Sequence, residues 1–322
     1  MARTPIRPRT VLVVGNGLTL SFLEHAGRAM AAWDTGSPLG WDIVIDTGQP
    51  LDHCFPVFYR QVGELRTRHP DLSDFAIIDE IVRAHKRRLE DFESALLYTE
   101  VRHFLSLAYS HFQGIADNID LTGWVWDLFL AQHADEIGLV VSFNYDLIVE
   151  RLLANSNIRL LHFTIDADTP DGVPIGKPHG SIDYTLQDNV IVMGEISYPP
   201  KNALSLIDAP IRRINSAELL SARLHVELVP PMQATAIRHF QWVAPLFEFL
   251  RQYGGGFDRC IFAGLSCWPV DQPELREIMA SMSPNAEIIV SNPDPRATIL
   301  FDYHARDLGL RSVQSWRDGP PA

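Results

Sequence analysis

The sequence predicts an α/β fold, a Rossmann-like doubly wound and mostly parallel sheet carrying an inserted helical subdomain. Three observations predict it. Four segments, at residues 11–14, 137–143, 260–266 and 286–292, are built around apolar runs (VLVV, LVV, CIFA and IIV) without polar alternation, as strands covered on both faces of a parallel sheet are. The first run stops at Gly15-Asn16-Gly17, and Leu18, Phe22 and Leu23 beyond it have helical spacing. The C-terminal third then alternates strand 260–266, helix 273–282, strand 286–292 and helix 296–307, the signature of βα winding.

Between these anchors the elements follow in order. Residues 33–70 are rich in Trp, Pro, His and Gly and read as irregular, apart from a short strand at 41–46. From 72 to about 111 there is neither Pro nor Gly, and that length suggests two or three helices. The stretch 33–135 therefore reads as an insertion, irregular and then helical, within a single domain spanning 1–322. A strand at 137–143 should lead into a helix at 146–154. Further strands are expected at 158–163, 190–193 and 224–228, and a helix over 237–253 ended by the glycine run 254–256. The last six residues, RDGPPA, read as a frayed tail.

Composition narrows the function. The chain has 322 residues, 46% of them hydrophobic, which excludes wholesale disorder. Its 27 Lys and Arg against 40 Asp and Glu give a net charge of −13, so it lacks the positive field that drives non-specific nucleic-acid binding. No direct nucleic-acid partner is expected. Three cysteines, Cys54, Cys260 and Cys267, form neither a disulfide framework nor a four-thiolate zinc site. The apolar run at 11–14 is too short for a signal-peptide core of ~7–15 residues, and no run reaches the ~18 residues of a membrane span. A soluble cytoplasmic protein without a membrane partner is expected.

Five segments could carry chemistry. Gly15 and Gly17, between a strand and a helix, permit a loop whose backbone amides and helix dipole could cradle a pyrophosphate. Leu20 stands where the dinucleotide fingerprint has its third glycine, and a ligand-free tight turn is the alternative. The strand at 137–143 releases Asn144, Tyr145 and Asp146 at its C-terminal end, where open α/β sheets bind ligands. Asn144 could orient a water or a ribose hydroxyl there, and either Asn144 or Asp146 could instead cap the next helix. His179 lies in GKPHGSIDY, too rich in Gly and Pro for a helix interior, so it is a candidate loop base reaching solvent. With no histidine pair or Cys/His cluster nearby, no metal is expected. Gly264 and Ser266 follow one buried strand and Asn292 and Asp294 another, in segments that also read as ordinary turns.

Taken in order, these motifs resemble the sirtuin-like NAD-consuming superfamily, and within it the prokaryotic sirtuin-like NAD hydrolases. Gly15-Asn16-Gly17-Leu18-Thr19 matches the family's Gly-Ala-Gly-x-Ser phosphate loop, DFESALL at 91–97 its acidic helix, SFNYD its Asn-x-Asp segment and KPHGSID its catalytic His-Gly. LVPPM, FAGLS and SNPDP complete the order, and the resemblance runs from Val11 to Asp294. Asn16 departs from the small residue of the loop and is similar to the Gly-Asn-Gly of some phage abortive-infection relatives. The four-cysteine zinc ribbon of the deacylases is absent, which favours hydrolysis.

The resemblance implies that Asn144 and His179, 35 residues apart, form the catalytic pair. Gly15, Asn16, Gly17, Thr19, Asp146, Gly264, Ser266 and Asn292 would contact NAD, which is substrate, with no metal. The implied reaction cleaves the nicotinamide–ribose bond to nicotinamide and linear or cyclic ADP-ribose, in anti-phage defence by NAD depletion. A homo-oligomer or a defence-system partner protein would restrain it. The alternatives are an NAD-dependent protein deacylase and a non-catalytic nucleotide-binding sensor or interaction module.

Overall fold

Chain order explains the architecture. The structure, a computed structural model, describes residues 9–43, 50–85, 92–166, 171–187, 191–192, 210–230 and 240–321. Strand β1 (Thr10–Val14) is buried at every position and passes through Gly15 into α1 (Asn16–Ala26). The insertion follows as α2 (Leu51–Cys54), α3 (Pro56–Arg68), α4 (Asp74–His85), α5 (Phe92–Ala116) and α6 (Val125–His133). The chain returns as β2 (Ile137–Ser142), α7 (Ile148–Asn155), β3 (Leu160–His162) and β4 (Val173–Gly176). Two small antiparallel pairs come next: β5 (Tyr184–Leu186) with β7 (Ile211–Arg213), and β6 (Ile191–Val192) with β8 (Ala222–Arg223). The last part is α8 (Ala244–Tyr253), β9 (Arg259–Ala263), α9 (Gln272–Ser281), β10 (Glu287–Ser291), α10 (Pro295–Asp307) and β11 (Gln314–Trp316).

Seven strands form one sheet in the order β11-β10-β9-β1-β2-β4-β3, and every neighbouring pair is parallel. The doubly wound class is as expected from the apolar runs. The chain winds outward from β1 to one side and resumes at β9 on the other, so the topological switch flanks β1. Ligands bind outside the carboxyl ends of the strands at such a point. Alternate residues of β1 serve opposite layers. Leu12 and Val14 join the layer containing Phe22, Phe104 and the insertion, and Val11 and Val13 join the layer of Leu246, Phe262 and Phe301.

The insertion departs most from expectation. Residues 33–70 hold α2 and α3, because Phe58, Val62 and Leu65 repeat at helical spacing and are buried along one face, with Pro56 where a first turn tolerates it. No strand forms at 41–43, and 44–46 lie outside the described residues. Helices α4 and α5 fit the expected helical stretch. The strand expected at 224–228 reduces to an isolated bridge between Leu228 and Gly180, beside β8 at 222–223. Helix α8 starts at Ala244, with proline in its first turn, and residues 237–239 of the longer expectation lie outside the described residues. The described part of 190–193 is β6. The tail is not frayed through Pro320, which is buried. Just before it, β11 completes the sheet and Trp316 packs edge-on against Phe129 at 5.7 Å.

One buried acid ties the insertion together. Glu100 of α5 is 2% exposed and accepts the Phe58 amide at 2.7 Å. Burial pushes its carboxyl up to about 7 from an ordinary 4.5, against the pull of the Phe58 and Val57 amides. The folded state therefore takes up this proton more readily than the unfolded chain. The resulting stability is full below pH 4.5 and is lost as pH rises through about 7. Glu100→Gln, neutral throughout, is expected to be more stable than wild type above that window by roughly 1–2 kcal/mol, after allowing for solvent screening. The two should converge below pH 4.5. Urea unfolding of both proteins across this range checks it, and a pH-independent difference would refute it.

Candidate active site

The site begins where two turns touch. Gly17 N–H donates to the Gly264 carbonyl at 2.8 Å, Gly15 N–H to the Ala263 carbonyl at 2.9 Å, and Gly264 N–H to the Ser291 carbonyl at 2.8 Å. The turns after β1, β9 and β10 are thus joined backbone to backbone. Gly264 has φ +67°, and a Cβ there would collide with Gly17 and Leu18, so only glycine fits. The glycine motif therefore serves packing as well as any ligand. The Gly17 amide and that of Leu18, which donates to the Gly15 carbonyl at 2.9 Å, are both occupied. Asn16 stands outside these bonds and is exposed.

Asn144 leaves β2 directly beneath this loop. Its amide nitrogen donates to the Gly15 carbonyl and to Thr19 Oγ1, both at 3.0 Å. Thr19 Oγ1 donates onward to Asp146 Oδ2 at 2.8 Å, and Asp146 Oδ1 accepts the Ile148 amide at 3.1 Å. A flipped Asn144 amide would set its oxygen against the Gly15 carbonyl, so the nitrogen must face the loop. Both amide hydrogens are then committed, and Oδ1 is the group left for a ligand. The cap position of α7 is Leu147 rather than Asn144 or Asp146, and Asp146, one residue earlier, ties the chain to the Ile148 amide and braces Thr19. Burial pushes its carboxyl up, opposed by Lys177 and by its hydrogen bonds. Lys177 is wholly buried and donates to the Asp146 carbonyl and to Glu150 Oε1, each at 2.7 Å.

His179 sits in a clamped loop. Gly180 has φ +76°, and a Cβ there would strike the Glu227 carbonyl. Val229 N–H donates to the His179 carbonyl at 2.9 Å, and Tyr145 Oη–H donates to the Val229 carbonyl at 2.7 Å. Arg102 of α5 donates to the Leu228 carbonyl at 2.8 Å. The imidazole stands edge-on to Phe143 at 5.1 Å, with Nε2 3.5 Å from Asp271 Oδ1. The expected solvent-reaching histidine is instead mostly buried, its side chain 15% exposed. Burial holds the imidazole below its ordinary value, against the Asp271 carboxylate and a hydrogen bond to the Phe143 backbone. It is accordingly neutral at pH 7 and able to accept a proton.

These parts enclose a cavity of about 220 Å³ at the carboxyl edge. Gly15, Asn16, Asn144, Asp146, His179, Gly264 and Ser266 line it together. Phe75, Tyr109, Phe143, Tyr145 and Trp268 supply aromatic wall, and Asp271 faces His179. A second cavity of about 620 Å³ shares Asn16, Gly264 and Ser266 and adds Gly17, Asn292, Glu24, Arg317 and Asp318. Thr19 lines neither and acts from beneath. Asn292 is a brace, donating to the Leu265 carbonyl at 2.9 Å and accepting the Asp294 amide at 2.8 Å. Sequence reasoning missed Asp271, whose DQP context reads as a helix cap, and the aromatic wall from the insertion, which has no local motif. Among the described residues no cluster of three or more His, Cys, Asp or Glu is arranged to hold a metal ion. The three cysteines are free thiols, and no helix is long and apolar enough to cross a membrane.

No protein-family model and no curated protein sequence matches the chain. Solved structures similar to it include a Sir2 homologue in complex with NAD, 11% identical, covering 94% of this chain and 90% of that one, with a TM-score of 0.36. A sirtuin solved for the basis of substrate affinity is 11% identical, covering 97% and 90%, with a TM-score of 0.35. A third, concerned with the mechanism and regulation of Sir2 enzymes, is 13% identical, covering 96% and 87%, with a TM-score of 0.32.

The buried cation gives a test of this scaffold. Lys177→Ala leaves Glu150 and the Asp146 carbonyl without their donor in a buried position. The expected loss is about 3–5 kcal/mol, the usual result of removing one partner of a buried pair. A denaturant midpoint unchanged from wild type would show that the network does not hold the site.

Proposed function

We propose that the chain is an NAD glycohydrolase that uses NAD as substrate and releases nicotinamide and ADP-ribose. The observation that carries this reading is the convergence of Asn144, His179 and the glycine loop on one cavity at the topological switch. Asn16, Ser266 and the dipole of α1 face the anionic pyrophosphate, and the second cavity gives room for the adenosine end.

The chemistry requires little of the protein beyond position and one base. The bond between ribose C1′ and the nicotinamide nitrogen breaks with its electron pair going to nitrogen, so the cationic ring leaves neutral. An oxocarbenium-like ribose results, and the oxygen of a water bonds to C1′. Asn144 Oδ1, its amide hydrogens already committed, accepts a hydrogen bond from that water or from a ribose hydroxyl and fixes its approach. Neutral His179 takes the proton that the water loses, and the proton then passes to solvent. NAD and water thus yield nicotinamide, ADP-ribose and one proton.

Purified protein incubated with NAD should release nicotinamide without an acyl-lysine peptide. His179→Ala should lower the rate by ~10²–10⁴-fold, and Asn144→Ala should do likewise. Asn144→Ala also loses two hydrogen bonds of about 1 kcal/mol each, so thermal unfolding must accompany that assay. Full activity in both variants would sink the assignment. Release only with acylated peptide would mean a deacylase, and thermal stabilisation by NAD that stays intact would mean a sensor.

Unrestrained NAD cleavage is toxic, so self-association or a partner protein is expected to hold the activity in check. The resemblance to prokaryotic sirtuin-like NAD hydrolases implies defence against phage by NAD depletion. Phage plating on cells expressing wild type or His179→Ala tests this, and equal plating efficiency would reject it.

A further inference from the structure

Asp271 occupies the position that would cap α9, yet its side chain bonds no amide of that helix. Pro273 in the first turn removes one amide a cap could use. The carboxylate turns instead into the first cavity, where Oδ1 lies 3.5 Å from His179 Nε2. That oxygen is buried and has no hydrogen-bond donor among the described residues. The backbone fixes this placement. Asp271 N–H donates to the Trp268 carbonyl at 2.9 Å, and its own carbonyl accepts the Leu275 amide at 3.0 Å. Cys267, at the start of the loop, takes φ +56°, which a non-glycine residue rarely adopts. Gln272 holds that turn by donating to the Cys267 carbonyl at 3.1 Å.

We propose that Asp271 is the positioning residue of His179, facing its Nε2 edge so that the proton His179 takes up there is shared with the carboxylate. The proposal rests on the reading of His179 as the base in NAD cleavage. When the imidazole takes the proton of the attacking water, the new cation meets the Asp271 carboxylate at once, and no buried charge is left without a counterpart. Burial pushes the Asp271 carboxyl up and the imidazole down, and each pulls the other back. The other titratable groups of this cavity are Tyr109, Tyr145 and Asp146, with Cys267 beside it. Burial raises both tyrosines and the thiol, so these stay neutral. The Asp146 carboxylate is taken up by Thr19 and the Ile148 amide. Asp271 is thus the acid that His179 meets directly.

The test removes the charge and keeps the shape. In histidine-selective NMR on the full chain, with the His179 signal assigned by its loss in His179→Gln, Asp271→Asn is expected to lower the His179 titration midpoint by about 1 pH unit. This is the lower end of what an opposite charge at such a distance contributes. The acid limb of nicotinamide release should move the same way, with kcat falling more than KM rises, and Asp271→Glu should restore part of both. If Asp271→Asn does not fold, Asp271→Ser is read in its place. An unchanged His179 midpoint overturns the proposal. Absence of nicotinamide release from wild type would refute the glycohydrolase reading, while the NMR titration would still decide the pairing.

Discussion

The structure depends on one close approach, that of the turn after β1 to the turn after β9. Gly17 and Gly264 meet backbone to backbone, and no side chain can be accommodated between them. This contact joins the two halves of the sheet on either side of the switch. The first turn of α1, Ser266 and the loop leading to Asp271 all take their places from it. A β-carbon at Gly264 would force the turns apart and enlarge both cavities at their shared wall. Interiors packed at crystal density transmit such displacements rather than absorb them.

Below that contact runs a chain of polar groups, from the Gly15 carbonyl through Asn144, Thr19 and Asp146 to Lys177 and Glu150. It is buried and highly connected, so each bond is electrostatically strong and each missing partner costly. The chain also fixes which atoms face a ligand. Asn144 can offer an oxygen and not a nitrogen, and Thr19 offers nothing directly. Residues that motif order groups as ligand contacts thus divide into wall and foundation: Thr19 belongs to the foundation, while Asn292 lines the second cavity and braces it as well.

The sheet was legible in the sequence because strands buried on both faces are built around apolar runs, as Leu139–Val141 and Ile288–Val290 are. The cavity edge was legible because polar and small residues follow those runs. The insertion was harder to read. Prolines and glycines near 33–70 suggested irregular chain, while the i, i+4, i+7 burial of Phe58, Val62 and Leu65 prevailed in α3. Short strands such as β4 and β11 have too few residues for periodicity to register, and their pairing comes from the sheet. Asp271 was hidden for another reason. An acid ahead of a proline-containing first turn has the local signature of a cap, and only the fold shows that it turns away to a histidine 92 residues earlier in the chain.

The lining of the first cavity has a further consequence. Its described residues include no lysine or arginine, and the second cavity has Arg317 as its cation. An anionic ligand here would be met by the dipole of α1 and by the neutral polar side chains of Asn16 and Ser266, not by mobile cations at the surface. Ionic strength screens exposed charges over a Debye length of about 8 Å at physiological salt and enclosed dipoles far less. Ligand affinity in this site should therefore vary little with salt, unlike that of proteins that hold phosphates with lysine. The acidic exterior, at −13 overall, would slow the approach of anions at low salt without weakening what is held inside.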